Sequence, residues 1–243
     1  MSKGVTSKRT IDNPRVVSRE EWIAARKELL AKEKTLTKQR DAVSAERRQL
    51  PWVKVDKEYV FAAPGGKKTL ADLFEGRSQL IVYHFMFGPD WKEGCPSCSF
   101  NMDHTDAALV HLAQRDVSFA AISRATLPQI EAFKKRMGWR FAWASSNGND
   151  FNHDYHVSFT PEEMAKGEAF FNYATQNPGH SEREGHSVFY MDERGEIFHT
   201  YSCYARGNET FNNHYHYLDI APKGRDENGR GPFWVQRHDE YGK

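Results

Sequence analysis

Cys95 and Cys98, in the run Cys95-Pro96-Ser97-Cys98, are the residues whose type and spacing could most directly do chemistry. A Cys-x-x-Cys pair can cycle between dithiol and disulfide. One thiolate attacks a foreign disulfide and the other resolves the mixed disulfide that forms. The same spacing can also hold a metal ion. Eleven histidines keep that second reading open. His214-Tyr215-His216 would put two imidazoles on one face of a strand, and His153-Asp154-Tyr155-His156 supplies another pair. Two cysteines with one or two histidines would make a tetrahedral zinc site or a thiolate-rich copper site. No second Cys-x-x-Cys exists, however, and no histidine pair stands at zinc-finger distance from the cysteines. The third cysteine, Cys203, sits among aromatics in Tyr201-Ser202-Cys203-Tyr204 and reads as a buried inert thiol or a third redox partner.

What must position the pair is written on either side of it. Leu80-Ile81-Val82-Tyr83-His84-Phe85-Met86-Phe87 is an unbroken run of large apolar and aromatic residues, the pattern of a strand buried on both faces. The loop Gly88 to Gly94 carries two glycines and a proline, and no regular element crosses it. Beyond the cysteines, Phe100, Ala107, Ala108, Leu109 and Leu112 recur at roughly helical spacing. The pair therefore falls at the first turn of a helix that leaves a buried strand, where free amides and the helix dipole favour an anionic sulfur. On this placement Cys95 is the nucleophile and Cys98 the resolving thiol. Nearby Lys92, and Arg206 from the far side, could add positive charge.

The neighbouring elements extend that unit. Val117 to Ile122 reads as a second buried strand, and Leu127 to Met137 as a helix with Pro128 near its start and Gly138 after its end. Strand, helix, parallel strand and helix make a right-handed βαβα unit. Residues 138–185 hold many aromatics among Asn, Ser, Gly and His, an ordered insertion packed on the sheet edge. Ser187 to Met191 and Glu196 to Tyr201 flank Asp192-Glu193-Arg194-Gly195 as a β-hairpin. This order implies an α/β thioredoxin-like fold, a central mixed sheet flanked by helices, over residues 51–221.

A helical arm precedes that domain over residues 1–50, and a tail follows over 222–243. Residues 1–17 read as a polar, loosely ordered lead-in. Ser18 and Glu21 fit a capping box, and Trp22, Leu29, Leu36, Val43 and Leu50 then fall seven apart. The companion positions Ala25, Lys32, Gln39 and Glu46 are mostly polar, so the second seam of a sustained coiled coil is missing. The arm can lie on its own domain or join two copies into a homodimer. Net charge is +1 with both signs interspersed, so neither nucleic acid nor an anionic membrane is implied as a partner. The first ten residues contain no apolar stretch and no segment approaches ~18 apolar residues, so a cytoplasmic protein is expected.

The run Phe87 to Phe100 resembles the signature of a bacterial thioredoxin-like family, domain of unknown function eight-nine-nine. Val188 to Thr200, Tyr204-Ala205-Arg206-Gly207, and Tyr217 through Trp234-Val235 to Tyr241 resemble the same family. The resemblance implies the fold and no established reaction, so function rests on the site. The sequence departs from thioredoxins proper, which carry Trp-Cys-Gly-Pro-Cys, because Gly94 precedes Cys95 and Pro96 follows it. Strand alignment puts His84 where thioredoxins carry an acidic residue. His84 could serve there as base for Cys98, or be a satisfied core histidine. The loop that faces the nucleophile in thioredoxins should fall at Gly185-His186-Ser187, without its proline, and His186 should face Cys95. Peroxiredoxins place proline seven residues and threonine or serine three residues before their reactive cysteine. Gly88 and Lys92 stand there instead. The resulting expectation is a thiol–disulfide oxidoreductase without cofactor. Its catalytic residues would be Cys95 and Cys98, with Trp91, His186 and Arg206 against a thiol or disulfide substrate. The alternative is a non-catalytic metal-binding or interaction module on the same scaffold.

Overall fold

A computed structural model describes residues 14–242, so most of the lead-in lies outside the described residues. The elements are α1 (Arg19–Arg47), β1 (Val53–Lys54), β2 (Val60–Ala63), β3 (Gly66–Thr69), a short 3-10 helix (Ala71–Phe74) and β4 (Gln79–His84). They continue with α2 (Pro96–Ala113), β5 (Val117–Ser123), α3 (Leu127–Met137), β6 (Ala142–Ser145), α4 (Phe151–Asp154) and α5 (Pro161–Lys166). Last come β7 (Ala169–Phe171), β8 (Ala174–Gln176), β9 (Gly185–Met191), β10 (Ile197–Tyr204), a second 3-10 helix (Ala205–Phe211) and α6 (Asn213–Ile220). Among the described residues no helix is long and apolar enough to cross a membrane.

The chain divides into two compact units, Met1–Leu50 with His216–Asp226, and Pro51–Tyr215 with Glu227–Lys243. In the first, Ser18 caps α1 through a reciprocal capping box with Glu21. Helix α1 buries none of its residues, and Trp22, Leu29, Leu36 and Val43 stay about half exposed along it. Arg225 makes a two-pronged ion pair with Asp219, 2.7 and 2.8 Å, in the same unit.

The second unit is built on an eight-stranded sheet in the order β1-β10-β9-β4-β5-β6-β2-β3. Strand β4 lies at its middle, parallel to β5 and antiparallel to β9, and β9 pairs antiparallel with β10. The sub-order β10-β9-β4-β5, with a helix leaving β4 and another leaving β5, is the thioredoxin-like fold. Side chains alternate along β4. Ile81 and Tyr83 face a core shared with Cys98, Met102, Ile130 and Phe133, whereas Leu80 and Val82 face a second core with Phe61, Phe74 and Phe189.

Three differences from the sequence reading have physical reasons. The region 138–185 does not only cover a sheet edge, because Ala142–Ser145 enters the main sheet between β5 and β2. Trp139, Phe141 and Trp143 thereby join the core beside Phe85 and Phe133. The apolar run ending at Phe87 is longer than its strand. Residues 85–87 leave the ladder, yet Phe85 N–H still donates to Ile122 and Phe87 carbonyl accepts from Ala125. Finally, His214 and His216 lie on helix α6 rather than on a strand, so two positions of separation put them on different sides.

Candidate functional site

The dithiol begins where β4 runs out. Cys95 N–H donates to the Met86 carbonyl at 3.0 Å, which fastens the loop 88–94 across its base. Cys95 is the N-cap residue of α2, with φ −57° and ψ 132°, and Pro96 occupies the first helical position. Proline suits that position because its missing N–H would have no helical partner there. Cys95 carbonyl then accepts both the amide and the hydroxyl of Ser99, each at 3.0 Å. Arg237 donates twice to the Gly94 carbonyl, at 3.0 and 2.7 Å, and so holds the residue just before Cys95.

The two sulfurs are within hydrogen-bonding reach and lie in unequal surroundings. Cys95 is half-buried, and its sulfur accepts from the Cys98 thiol and from the backbone amides of Cys98 and Ser97. The Cys98 contact is the largest influence, and together these lower the Cys95 thiol from 9.0 to about 7 against burial and the Glu184 charge. Cys98 is fully buried, and burial with the demands of Cys95 holds its thiol well above the ordinary value. Neither Lys92 nor Arg206 is a leading contributor at Cys95.

Tyr83 supplies a contact that sequence reasoning missed. Its phenol is buried in the sheet and hydrogen-bonded to Cys98, where it favours the Cys98 thiolate. Burial keeps that phenol itself neutral, well above 10.0, so it acts as a donor. Of the two sequence readings of His84, strand parity removes the base for Cys98 and leaves the core histidine. His84 faces the opposite core, its ring 5.6 Å from Phe151 and 5.8 Å from Tyr155. Its Nε2 is hydrogen-bonded to Ser187 Oγ at 2.8 Å, and burial pushes its pKa down to about 3. A one-residue step along a strand moves a side chain to the other face. The residue beside Cys98 is therefore the neighbour of His84, Tyr83.

A cleft of about 480 Å³ opens on the pair, lined among others by Tyr83, Cys95, Cys98, Asn101, Arg206 and Asn208. Arg206 reaches it as a mostly exposed side chain, ion-paired with Glu209 at 3.0 Å. His186 is buried behind Tyr83, with ring centroids 4.7 Å apart, and does not line the cleft. Its Nδ1 is hydrogen-bonded to Asn208 Oδ1 at 2.7 Å, and burial takes its pKa down to about 4, so the ring is neutral. Trp91 also lies outside the lining. It packs against the core that holds Cys98 and Phe133, and its carbonyl accepts from Gln129 at 3.1 Å. Gly185-His186-Ser187 is the start of β9, paired with Tyr204, Cys203 and Ser202, and the described residues contain no cis peptide bond. Cys203, the last residue but one of β10, does not line the cleft itself, and its sulfur donates to Asn208 Oδ1 at 3.6 Å.

The histidine-rich stretches do not converge on the sulfurs. His214 packs its ring 4.3 Å from Phe100 and 4.9 Å from His104, and His153 and His156 line a separate hollow near Thr160. Among the described residues no group of three or more His, Cys, Asp or Glu side chains is placed to hold a metal ion.

Residues 11–241 match the model of a family of bacterial proteins of unknown function (DUF899), and the chain belongs to that family. No curated protein matches it. Among solved structures it is similar to a peroxidoxin BcpB from Mycobacterium tuberculosis, at 11% identity over 61% of this chain and 82% of that one, with a TM-score of 0.42. A cysteine-to-serine mutant of PrxQ from Xylella fastidiosa is 12% identical over 67% and 89% of the two chains, with a TM-score of 0.41. A mitochondrial 2-cys peroxiredoxin from Plasmodium falciparum is 11% identical over 68% and 91%, again at 0.41. Likeness this remote says nothing of activity, and the fold stands on the strand order itself.

Proposed function

We propose that this member of the family is a thiol–disulfide oxidoreductase with Cys95 as nucleophile and Cys98 as resolving thiol. One observation carries the reading: a half-buried sulfur at a helix N-cap, near pKa 7, touching a fully buried thiol held much higher. A thiol that titrates near ambient pH combines a useful thiolate fraction with retained nucleophilicity.

The reaction balances as two exchanges. The Cys95 thiolate attacks one sulfur of a substrate disulfide, forms a Cys95–substrate disulfide and releases the other substrate half as a thiolate. Cys98 then loses its proton to solvent or to that leaving thiolate, with the Tyr83 phenol donating to the sulfur as charge develops. It attacks the Cys95 sulfur, releases the second substrate thiol and leaves a Cys95–Cys98 disulfide. Two electrons have passed to the substrate, and a thiol reductant restores the dithiol by the reverse steps.

The test is turnover of a fluorogenic disulfide with dithiothreitol as reductant. Cys95→Ser should abolish turnover, and Cys98→Ser should stall as a mixed disulfide on Cys95. Mild oxidation should remove two of the three thiols reversibly. Unchanged turnover in Cys95→Ser would overturn the reading. Stoichiometric zinc or copper on the protein purified under reducing conditions would replace it with a metal-binding one.

A further inference from the structure

We infer that the cleft beside the dithiol is a subsite for a small amide-bearing thiol, a peptide-like thiol or its disulfide; this rests on the dithiol reading above. Three asparagines line that cleft, Asn101, Asn208 and Asn212. They are 5%, 6% and 8% exposed, yet each keeps a polar atom with no partner among the described residues. These atoms are Oδ1 of Asn101, Oδ1 of Asn212 and Nδ2 of Asn208. Buried polar groups are almost always paired, and three unpaired ones around a single cleft point to a ligand that pairs them.

The chemistry of that ligand follows from the atoms left over. The His186 tautomer with its proton on Nδ1 fixes the Asn208 amide, whose Oδ1 then accepts from that ring at 2.7 Å and from Cys203 at 3.6 Å. As placed Asn208 offers a donor, while Asn101 and Asn212, whose amides make no side-chain hydrogen bond at either end among the described residues, can turn to offer an oxygen or an NH2 group. A carboxylate would suit the donor and would need Asn101 and Asn212 both turned to present NH2 groups. An ammonium would suit the oxygens and leave the donor unpaired. An amide satisfies both kinds at once, its carbonyl accepting from Asn208 and its N–H donating to an asparagine oxygen. The rim charges pair among themselves, Arg183 with Glu184 at 3.3 Å and Arg206 with Glu209 at 3.0 Å, so they leave the cleft without a strong charge of either sign. A cleft of about 480 Å³ is the size of a small-molecule site. The thiol of such a ligand would then lie against Cys95 in the same cleft.

The experiment separates binding from redox chemistry by using a probe that cannot exchange. S-methylglutathione, an amide-bearing thioether, is titrated calorimetrically into the reduced full chain beside 2-(methylthio)ethanol, a thioether without amides. Saturable binding is expected for the first at millimolar concentration or below, and none for the second over the same range. Asn208→Leu and Asn212→Leu should each weaken S-methylglutathione about tenfold, the value of ~1.4 kcal/mol. Asn208 also holds His186, so the urea midpoint is measured alongside. If Asn208→Leu alters that midpoint, Asn212→Leu decides. No binding to the wild-type chain, or unchanged affinity in the deciding variant, overturns the subsite. An S-methylated unfolded protein that binds more tightly than the tripeptide overturns it in favour of a protein groove. Probe binding with full turnover in Cys95→Ser keeps the subsite and removes the dithiol reading, and the reverse pair of results does the opposite.

Discussion

Removing the Cys98 thiol should change Cys95 in a way that reverses sign with pH. Cys95 titrates at about 7, two pH units below 9.0, and the hydrogen bond from Cys98 is the largest cause. A hydrogen bond to a charged group contributes about 1.5–3 kcal/mol. At 1.36 kcal/mol per pH unit, Cys98→Ala should raise the Cys95 midpoint by about one to two pH units. The amides at positions 97 and 98 remain and continue to favour the thiolate. At pH 7 the thiolate fraction falls from about one half to roughly one tenth or less. Intrinsic nucleophilicity rises about threefold per pH unit of midpoint, given a Brønsted coefficient near 0.4–0.5. Alkylation at pH 7 should therefore slow by only about two- to sixfold, whereas at pH 10, where the thiolate is nearly complete, it should speed up by about three- to eightfold. The assay is iodoacetamide labelling of the Cys95 peptide, followed by mass spectrometry from pH 5 to 10. Local unfolding would speed labelling at every pH, so the crossing isolates the hydrogen bond. A midpoint that stays near 7 in Cys98→Ala refutes the assigned cause, and a wild-type midpoint near 9 refutes the N-cap placement of the sulfur.

Tyr83→Phe keeps the ring in the core and removes the phenol from Cys98, so resolution should slow about tenfold, read as a longer-lived mixed disulfide on Cys95 after acid quench; an unchanged lifetime would show that the phenol does not assist. His84 and His186 titrate at about 3 and about 4 in the fold against 6.5 unfolded, so the unfolded chain binds more protons below pH 6.5. Their contribution to stability is complete above that pH and is lost as pH falls, by about 2 kcal/mol per histidine between pH 7 and pH 5; a urea midpoint flat over this window would contradict the burial of both rings. Gly94→Ala would bring a methyl to 2.6 Å from Phe85 and 2.7 Å from Phe133, two rings packed in the core. A destabilisation of about 1–3 kcal/mol is expected from such overpacking, and a melting temperature equal to the wild type would show that the loop yields.

How much of this could be read from the residues depended on how far each signal travels along the chain. The strand, the proline-bearing helix start and the two cysteines lie within one stretch of β4, loop and α2, so local apolar pattern and capping chemistry were enough to place them. Strand β6 was illegible because Ala142-Trp143-Ala144-Ser145 is short and sits among scattered aromatics. Its identity comes from pairing with β5 and β2, not from its own composition. The helical nature of His214 to His216 was hidden for a related reason: alternating histidine and tyrosine mimic a strand's period, while tertiary packing of Tyr215 and His214 around Phe100 favours the helix.

The two readings left open for His84 show where a finer one was available. Parity along β4 is visible in the sequence once one residue is anchored: Phe85 belongs to the core that also holds Cys98, so Tyr83, two residues earlier, shares its side and His84 does not. Matching by position to another fold's acidic residue missed this, because a register slip of one residue exchanges the faces of every side chain in the strand. No comparable rule could have gathered the asparagines. Asn101 arrives on the second turn of α2, whereas Asn208 and Asn212 arrive from the segment after β10, and only the antiparallel pairing of β9 with β4 brings that segment to the cysteines. The two cysteines of the cleft are thus local in sequence, while its asparagines are assembled by topology. Change in the 205–212 segment should therefore alter what the cleft accepts and leave the acidity of Cys95, set by its own helix turn and Cys98, where it is.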